Sequence, residues 1–176
     1  MASVINASTN GLVTTGDNTG LLNIQVSSSN ALTIAADKTI TLLGGAVTKN
    51  IQETATISAT AATGTINVDC LTSAVWYYTA NASANWTFNF RGNSGTTLNS
   101  LLSTGQAVTV AFLATNGGTA YYNNVVQVDG TTVTPKYQGG TAYAAGNASS
   151  IDVYMYTIIK TGSAAFTVFT SQTKFA

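Results

Sequence analysis

A short repeat of strand-like segments near the amino terminus constrains the fold more than any other feature. From Leu21 to Leu43, apolar and polar residues alternate three times, and Ser-Ser-Ser-Asn and Ala-Asp-Lys separate the alternations. Alternation with a period of two, bounded by turn residues, predicts short half-buried β-strands rather than a helix. The apolar positions of these strands are Leu22, Ile24, Val26, Leu32, Ile34, Ile40 and Leu42.

A single ribbon of such strands has no second layer against which to bury its apolar residues. Identical ribbons from other chains supply that layer, and three is the number of copies that we expect. The repeat therefore predicts an intertwined β stalk that holds a homotrimer together. The alternative is that these strands join the sheets of the domain that follows.

The composition favours a protein that works inside an assembly. Only 7% of the residues are charged and the formal net charge is zero, whereas about 25% of an ordinary soluble domain is charged. The chain is instead rich in threonine, with 31 residues, and in asparagine, with 16. A hydrophobic content of 45% with one proline argues against disorder. A surface with so little charge is typical of a structural protein.

The boundary between two regions is expected near residue 50, after Gly44-Gly45 ends the repeat. Residues 1–49 then form an attachment segment and the stalk, and residues 50–176 form a head. Longer alternations with short turns fill the head, so the predicted fold is all-β, with an antiparallel, jelly-roll-like β-sandwich. The predicted strands are 54–60, 65–71, 75–79, 85–91, 106–115, 125–129, 131–137, 151–160 and 165–171.

Local signals refine this picture of the head. Asp129-Gly130 predicts a hairpin turn, and Pro135 indicates an edge strand. Residues 97–105 predict one or two turns of helix, with Thr96 or Thr97 as the N-cap. The alternation in residues 85–91 places Trp86, Phe88 and Phe90 on one face, which we expect to be core.

The residue types needed for common catalytic sites are missing or scattered. The chain has no histidine, which excludes Ser-His-Asp and Cys-His arrangements and histidine-ligated metals. Of the six carboxylates, only Asp69 and Asp152 fall on strands in the middle of the sandwich, and we expect both on the surface rather than as an acid pair. Cys70 is expected to act as a small hydrophobe. No enzyme activity, cofactor or metal is predicted.

Two further classes of partner are also not expected. The six lysines and arginines are dispersed, so no basic patch for nucleic acid is present. No apolar run reaches the ~18 residues of a membrane span. The start, MASVINASTNG, lacks the basic and apolar regions of a secretory signal.

One cluster is a candidate for ligand contact. Tyr121, Tyr122, Asn123 and Asn124 combine aromatic rings with amides near a predicted turn, and such a combination suits a glycan. The same tyrosines equally suit the sandwich core or a subunit interface, because tyrosine tolerates half-buried positions.

Several stretches of the sequence resemble virion appendage proteins, tail-fibre-like or head-fibre-like, of marine and cyanobacterial tailed bacteriophages. These stretches are Glu53-Thr-Ala-Thr-Ile-Ser-Ala-Thr, residues 91–106 (RGNSGTTLNSLLSTGQ), Val126-Gln-Val-Asp-Gly and residues 146–154 (GNASSIDVY), after the repeats Leu22-Asn-Ile-Gln-Val-Ser and Ala31-Leu-Thr-Ile. The resemblance implies a homotrimer located in the virion. The similar modules occur in several virion parts, so the resemblance does not fix one function.

The expected function is therefore that of a non-enzymatic virion structural protein, a fibre or spike made in the host cytoplasm. Its amino-terminal region is expected to dock on other virion proteins. Two alternatives stay open, a host receptor- or glycan-binding module and a capsid decoration protein.

Overall fold

The computed structural model describes residues 22–26, 29–35, 40–42 and 45–176. The chain divides into two compact units, Met1–Ile51 and Gln52–Ala176. This division lies two residues from the boundary expected from the sequence. Strands make up most of the described residues, with one short α-helix and one 3-10 turn among them, and the all-β prediction is confirmed.

The first unit contains a three-stranded antiparallel meander, which we call the ribbon. Its strands are β1 (Leu22–Val26), β2 (Ser29–Ile34) and β3 (Ile40–Leu42). Ile24 pairs with Leu32, and Leu32 pairs with Leu42. Directly paired residues of antiparallel strands lie on the same face of the sheet, so this row of aliphatic residues shares one face.

The second unit, the head, consists of a six-stranded sheet and a four-stranded sheet. In chain order the elements are β4 (Ala55–Ala61), β5 (Gly64–Asp69), β6 (Val75–Ala80), β7 (Trp86–Arg91), α1 (Leu98–Leu101), β8 (Ala107–Thr115), β9 (Asn123–Val128), β10 (Thr131–Val133), β11 (Lys136–Tyr137), the 3-10 turn Gln138–Gly140, β12 (Ile151–Gly162) and β13 (Ala165–Phe175). The strand orders are β11-β13-β12-β8-β6-β4 and β10-β9-β7-β5.

Both sheets are mixed, so the predicted antiparallel pairing is wrong for much of the head. Successive strands from β4 to β9 alternate between the two sheets. A strand that returns to its sheet after one strand in the other sheet runs in the original direction, so β4, β6 and β8 are parallel, as are β5, β7 and β9. Antiparallel pairs join β8 to β12, β12 to β13 and β9 to β10. The jelly-roll topology is not confirmed.

The two sheets pack face to face through a layer of aromatic rings. Phe88 of the four-stranded sheet lies 4.5 Å from Phe112 and 5.4 Å from Tyr156 of the six-stranded sheet, measured between ring centroids. Such contacts add to the apolar area that the rings bury. The rings that meet between the sheets are Trp86, Phe88 and Phe90 on one side and Phe112, Tyr154 and Tyr156 on the other. The prediction that the three residues of β7 are core is confirmed.

The helix and the hairpin occur where the sequence predicts them. Thr97 caps α1, since its hydroxyl oxygen accepts a hydrogen bond from the Ser100 backbone N–H at 3.0 Å. Asp129 and Gly130 turn between β9 and β10 with φ of 50° and 79°, as a type I′ turn requires. The Asp129 carboxylate also accepts hydrogen bonds from the first two backbone N–H groups of α1, at 2.7 and 2.9 Å. Pro135 lies between β10 and β11, so the single strand predicted over residues 131–137 is wrong. Both short strands are edge strands of their sheets, as Pro135 indicated.

Candidate functional site

The residues predicted for ligand contact lie at the start of β9 and in the loop before it. Tyr121 and Tyr122 are half-buried and pack against the core. Asn116 Nδ2 donates a hydrogen bond to the Tyr121 carbonyl at 3.1 Å, and the Tyr122 backbone N–H donates to Asn85 Oδ1 at 3.1 Å. The backbone of this loop is therefore fixed by contacts within the head, while part of each ring remains accessible.

Asn123 bridges the two sheets. Its Nδ2 donates to the carbonyls of Trp86 and Val125 at 2.9 and 2.8 Å, and its Oδ1 accepts from the Tyr156 hydroxyl at 2.7 Å. Asn123 is buried, whereas the neighbouring Asn124 is exposed. The four residues thus do not face solvent together, and of the two amides only Asn124 is accessible. A ligand role for the cluster stays a prediction.

Three of the predicted stalk residues present exposed apolar side chains on the ribbon. Ile24, Ile40 and Leu42 are 52%, 62% and 50% exposed, and Leu32 and Ile34 are half-buried. Leu22 pairs in register with Ile34, which pairs with Ile40, beside the row already described; Val26 pairs with Ser29. Two adjacent rows of aliphatic positions therefore run across the three strands, and this face is a candidate subunit interface.

The two carboxylates in the middle of the sandwich lie on different sheets. Asp69, on the four-stranded sheet, forms an ion pair with Arg91, whose Nε lies 2.6 Å from Asp69 Oδ1. This bond raises the pKa of the Arg91 guanidinium. Asp69 is a partly exposed, hydrogen-bonded residue, as expected.

Asp152 is fully buried, so its expected place on the surface is wrong. Asn116 Nδ2, the Asn147 backbone N–H and Gln172 Nε2 donate to its Oδ2 at 3.1, 2.9 and 3.2 Å, and Asn147 Nδ2 donates to its Oδ1 at 2.6 Å. Both faces of β12 carry apolar residues, and the face that includes Tyr154 is the buried one. The sequence interpretation placed the aliphatic face inward instead.

The outer face of the four-stranded sheet carries a polar surface that the sequence analysis did not single out. Asn67, Asn89 and Gln127 are adjacent in register across β5, β7 and β9. Asn89 Nδ2 donates to Asn67 Oδ1 at 2.9 Å, and the Gly130 backbone N–H donates to Asn89 Oδ1 at 2.8 Å. Beside this row lies an open groove of about 340 Å³, lined by Asn89, Arg91, Asn93, Thr96, Thr97 and Asp129 among others. We call it the polar groove.

The sequence contained part of the signal for this surface. The alternation in β7 assigns Thr87, Asn89 and Arg91 to the side opposite the core. What it did not contain is the parallel pairing that places β5 and β9 on either side of β7.

Cys70 packs partly buried against the core, as predicted. Burial raises the pKa of its thiol to about 11, and the nearby carboxylates of Asp69 and Asp129 add to the effect. The thiol therefore stays protonated at neutral pH, the form that is a poor nucleophile.

The described residues contain no group of three or more Cys, Asp and Glu side chains placed to hold a metal ion. Among the same residues, no helix has the length and apolar character needed to cross a membrane. The chain has no match among family models, curated proteins or solved structures.

Proposed function

We propose that the chain is a non-enzymatic structural protein of a bacteriophage virion, a homotrimeric fibre or spike that displays the β-sandwich head. The amino-terminal region docks on other virion proteins, and the ribbon holds the three copies together. Display of three heads on one particle-bound stalk converts weak individual contacts into useful avidity.

The observation that carries this proposal is the exposed apolar face of the ribbon. Ile24, Ile40 and Leu42 are each at least half exposed in the single chain. Fully burying one such side chain stabilises a structure by about 1.5–3 kcal/mol. A three-stranded ribbon cannot provide that burial by itself, because it is one layer thick. The same face on other copies supplies an apolar second layer.

Two further observations support the proposal. A charged fraction of 7% suits a protein whose surface is largely covered by other subunits. The resemblance to virion appendage proteins supports the phage setting and the number of three copies.

Paired substitutions in β3 test the role of the ribbon. Leu42→Asp places a charge on the apolar face, and Thr41→Asp places the same charge at the next position of the same strand, which points to the opposite face. We expect the first variant to sediment as a monomer and the second as a trimer. If Leu42→Asp assembles as fully as the unmodified chain, the ribbon is not the interface.

Antibody labelling of intact particles tests the virion location. We expect label at tail or head appendages. A regular label over the capsid surface would favour the capsid decoration alternative, and particles without label would contradict the proposal.

A second candidate function, host receptor or glycan binding, is favoured by the polar groove, which offers amides and hydroxyls on an open surface. The variants Asn93→Ala, in the groove, and Tyr122→Ala, in the sequence-predicted cluster, separate the two places. Loss of host-cell binding in one variant, with assembly and fold intact, would assign the function to that place. Unchanged binding in both would remove both places.

A further inference from the structure

The outer face of the six-stranded sheet is uncharged and carries apolar rows flanked by threonine and serine side chains. One row runs from Ile57 on β4 through Tyr77 on β6 and Leu113 on β8 to Val153 on β12. The next row places Met155 of β12 beside Ala111 of β8. The outward side chains of β12 and β13 extend this surface, which we call the apolar face, and they include Ile151, Ile159, Phe169 and Phe175.

The apolar face is open in the single chain. Its most accessible large side chains, Ile57, Met155, Phe169 and Phe175, are between 40% and 69% exposed. Residues 52–176 are described throughout, and within them the outward positions of β4, β6, β8, β12 and β13 carry no charged side chain. Lys136, on the edge strand β11, is in register with Phe169 at the border of the face. A depression of about 470 Å³ lies between that edge and Met155, so the face is not flat.

We propose that the apolar face is the surface through which the heads of neighbouring copies of this chain contact one another. The proposal rests on the homotrimer proposed above and adds a second interface to that of the ribbon. It identifies the partner as another copy of the same head.

The chemistry of the face points to an uncharged, apolar partner. Burying this face against a charged surface would leave that surface's charges without partners, which is unfavourable. In the proposed trimer, the uncharged apolar faces of the three heads can meet around the three-fold axis. Because the ribbon already brings copies together in the proposed trimer, a second copy is also the partner present at the highest local concentration.

The area of the face is sufficient for a stable contact. Five strands spaced by about 4.8 Å, each contributing about seven residues of 3.3 Å, define an outer face of roughly 550 Å² in which apolar and hydroxyl side chains are counted together. Side chains add relief, so the accessible area exceeds that figure and approaches the roughly 800 Å² that each partner buries in a standard interface.

Oxidation of Met155 by hydrogen peroxide tests the proposal on the full-length chain. Peroxide converts an accessible methionine thioether to the sulfoxide. We expect Met155 in the assembled protein to react about tenfold or more slowly than the free N-acetylmethionine amide. Dilution to the monomer, in which Met155 is 40% exposed, should raise the rate, and mass spectrometry of the peptides measures it.

Matched glutamate substitutions on the outer faces of the two sheets provide the control. Ile57→Glu places a charge on β4, the edge strand of the six-stranded sheet, and Thr65→Glu places one on β5, the edge strand of the four-stranded sheet. Both positions are exposed, so neither change should prevent folding. Met155 should lose its protection in the first variant and keep it in the second.

The outcomes separate this inference from the proposed function. A trimer in which Met155 reacts at its unprotected rate overturns the head interface and leaves the ribbon trimer standing. A monomer with a reactive Met155 overturns both. Protection that persists in the monomer, or that occurs only on the intact particle, shows that something other than a second copy covers the face.

Discussion

The two outer faces of the head sandwich differ in how favourably they interact with water. The outer face of the four-stranded sheet pairs its polar groups internally, through Asp69 with Arg91 and Asn67 with Asn89. The outer face of the six-stranded sheet presents Ile57, Met155 and other apolar side chains to water. Water is an adequate neighbour for the first face and an unfavourable one for the second. The four-stranded sheet therefore needs no further cover on its outer face, whereas the outer face of the six-stranded sheet is suited to bind a partner.

Apolar residues of the head are not all buried within the single chain. The inner layer of each sheet is buried by the other sheet within one chain, as Phe88 and Phe112 illustrate. Phe169 belongs to the same class of residue but is 44% exposed. Only assembly can bury it. We therefore expect the inner aromatic residues to contribute to folding and the outer ones to assembly.

Alanine substitutions of an inner and an outer phenylalanine should differ most in the free energy of unfolding. Phe88→Ala should lower the free energy of unfolding by about 3–5 kcal/mol, because it opens a cavity between the sheets. Phe169→Ala should lower it by less than about 1 kcal/mol in the monomer, because little buried area is lost. Urea denaturation of diluted protein measures both. Equal losses would contradict the distinction between inner and outer rings.

The two carboxylates, one buried and one at the surface, are expected to contribute differently to stability. Asp152→Asn should destabilise the head by about 2–3 kcal/mol, since it replaces an acceptor with an amide among four N–H donors. Asp69→Asn, a change of the same size on the polar outer face, should cost about 1 kcal/mol or less. Urea denaturation again gives the values. A smaller effect at Asp152 than at Asp69 would show that the buried network contributes little.

The inner layer should also make stability sensitive to alkaline pH. Burial raises the pKa of the Tyr156 phenol well above its ordinary value of 10.0. Its contribution to stability is therefore fully present below about pH 10 and is lost as the pH rises above that value, where the unfolded phenol ionises first. Tyr156→Phe should cost about 1 kcal/mol at neutral pH, by removing the hydrogen bond to Asn123, and should reduce the loss of stability between pH 9 and 11. Parallel pH profiles of the two proteins would contradict the assignment.

The smallest effect is expected for the ion pair on the polar outer face. Asp69 and Arg91 are each about one quarter exposed at their side chains, at 23% and 26%. A double-mutant cycle with Asp69→Asn and Arg91→Gln should give a coupling of about 0.2–1 kcal/mol that decreases with salt. A coupling that is larger and independent of salt would mean that this face is less solvated than its exposure indicates.

The sequence predicted the strands of the head well because their alternation and turn chemistry are local. Asp129-Gly130 predicted its hairpin, since both residues adopt the positive φ of a type I′ turn. Thr97 predicted the N-cap of α1 for a similarly local reason.

Strand pairing was not predictable in the same way, because it depends on which of the two sheets the chain enters after each connecting loop. The crossings between sheets from β4 to β9 leave no periodic signal in the sequence. The error at Asp152 has a related cause. β12 is apolar on both faces, and local alternation does not indicate whether the side of Tyr154 or the side of Val153 faces the other sheet. The same ambiguity left the part of the apolar face that β12 contributes unrecognised in the sequence.

The molar mass of the full-length protein in solution shows whether this chain assembles with copies of itself. Light scattering over a range of concentrations should give three times the chain mass of 18.0 kDa, with dissociation only on strong dilution. A mass of 18.0 kDa at every concentration would contradict the account, because the exposed faces of the ribbon and of the six-stranded sheet would then be stable in water without a second copy.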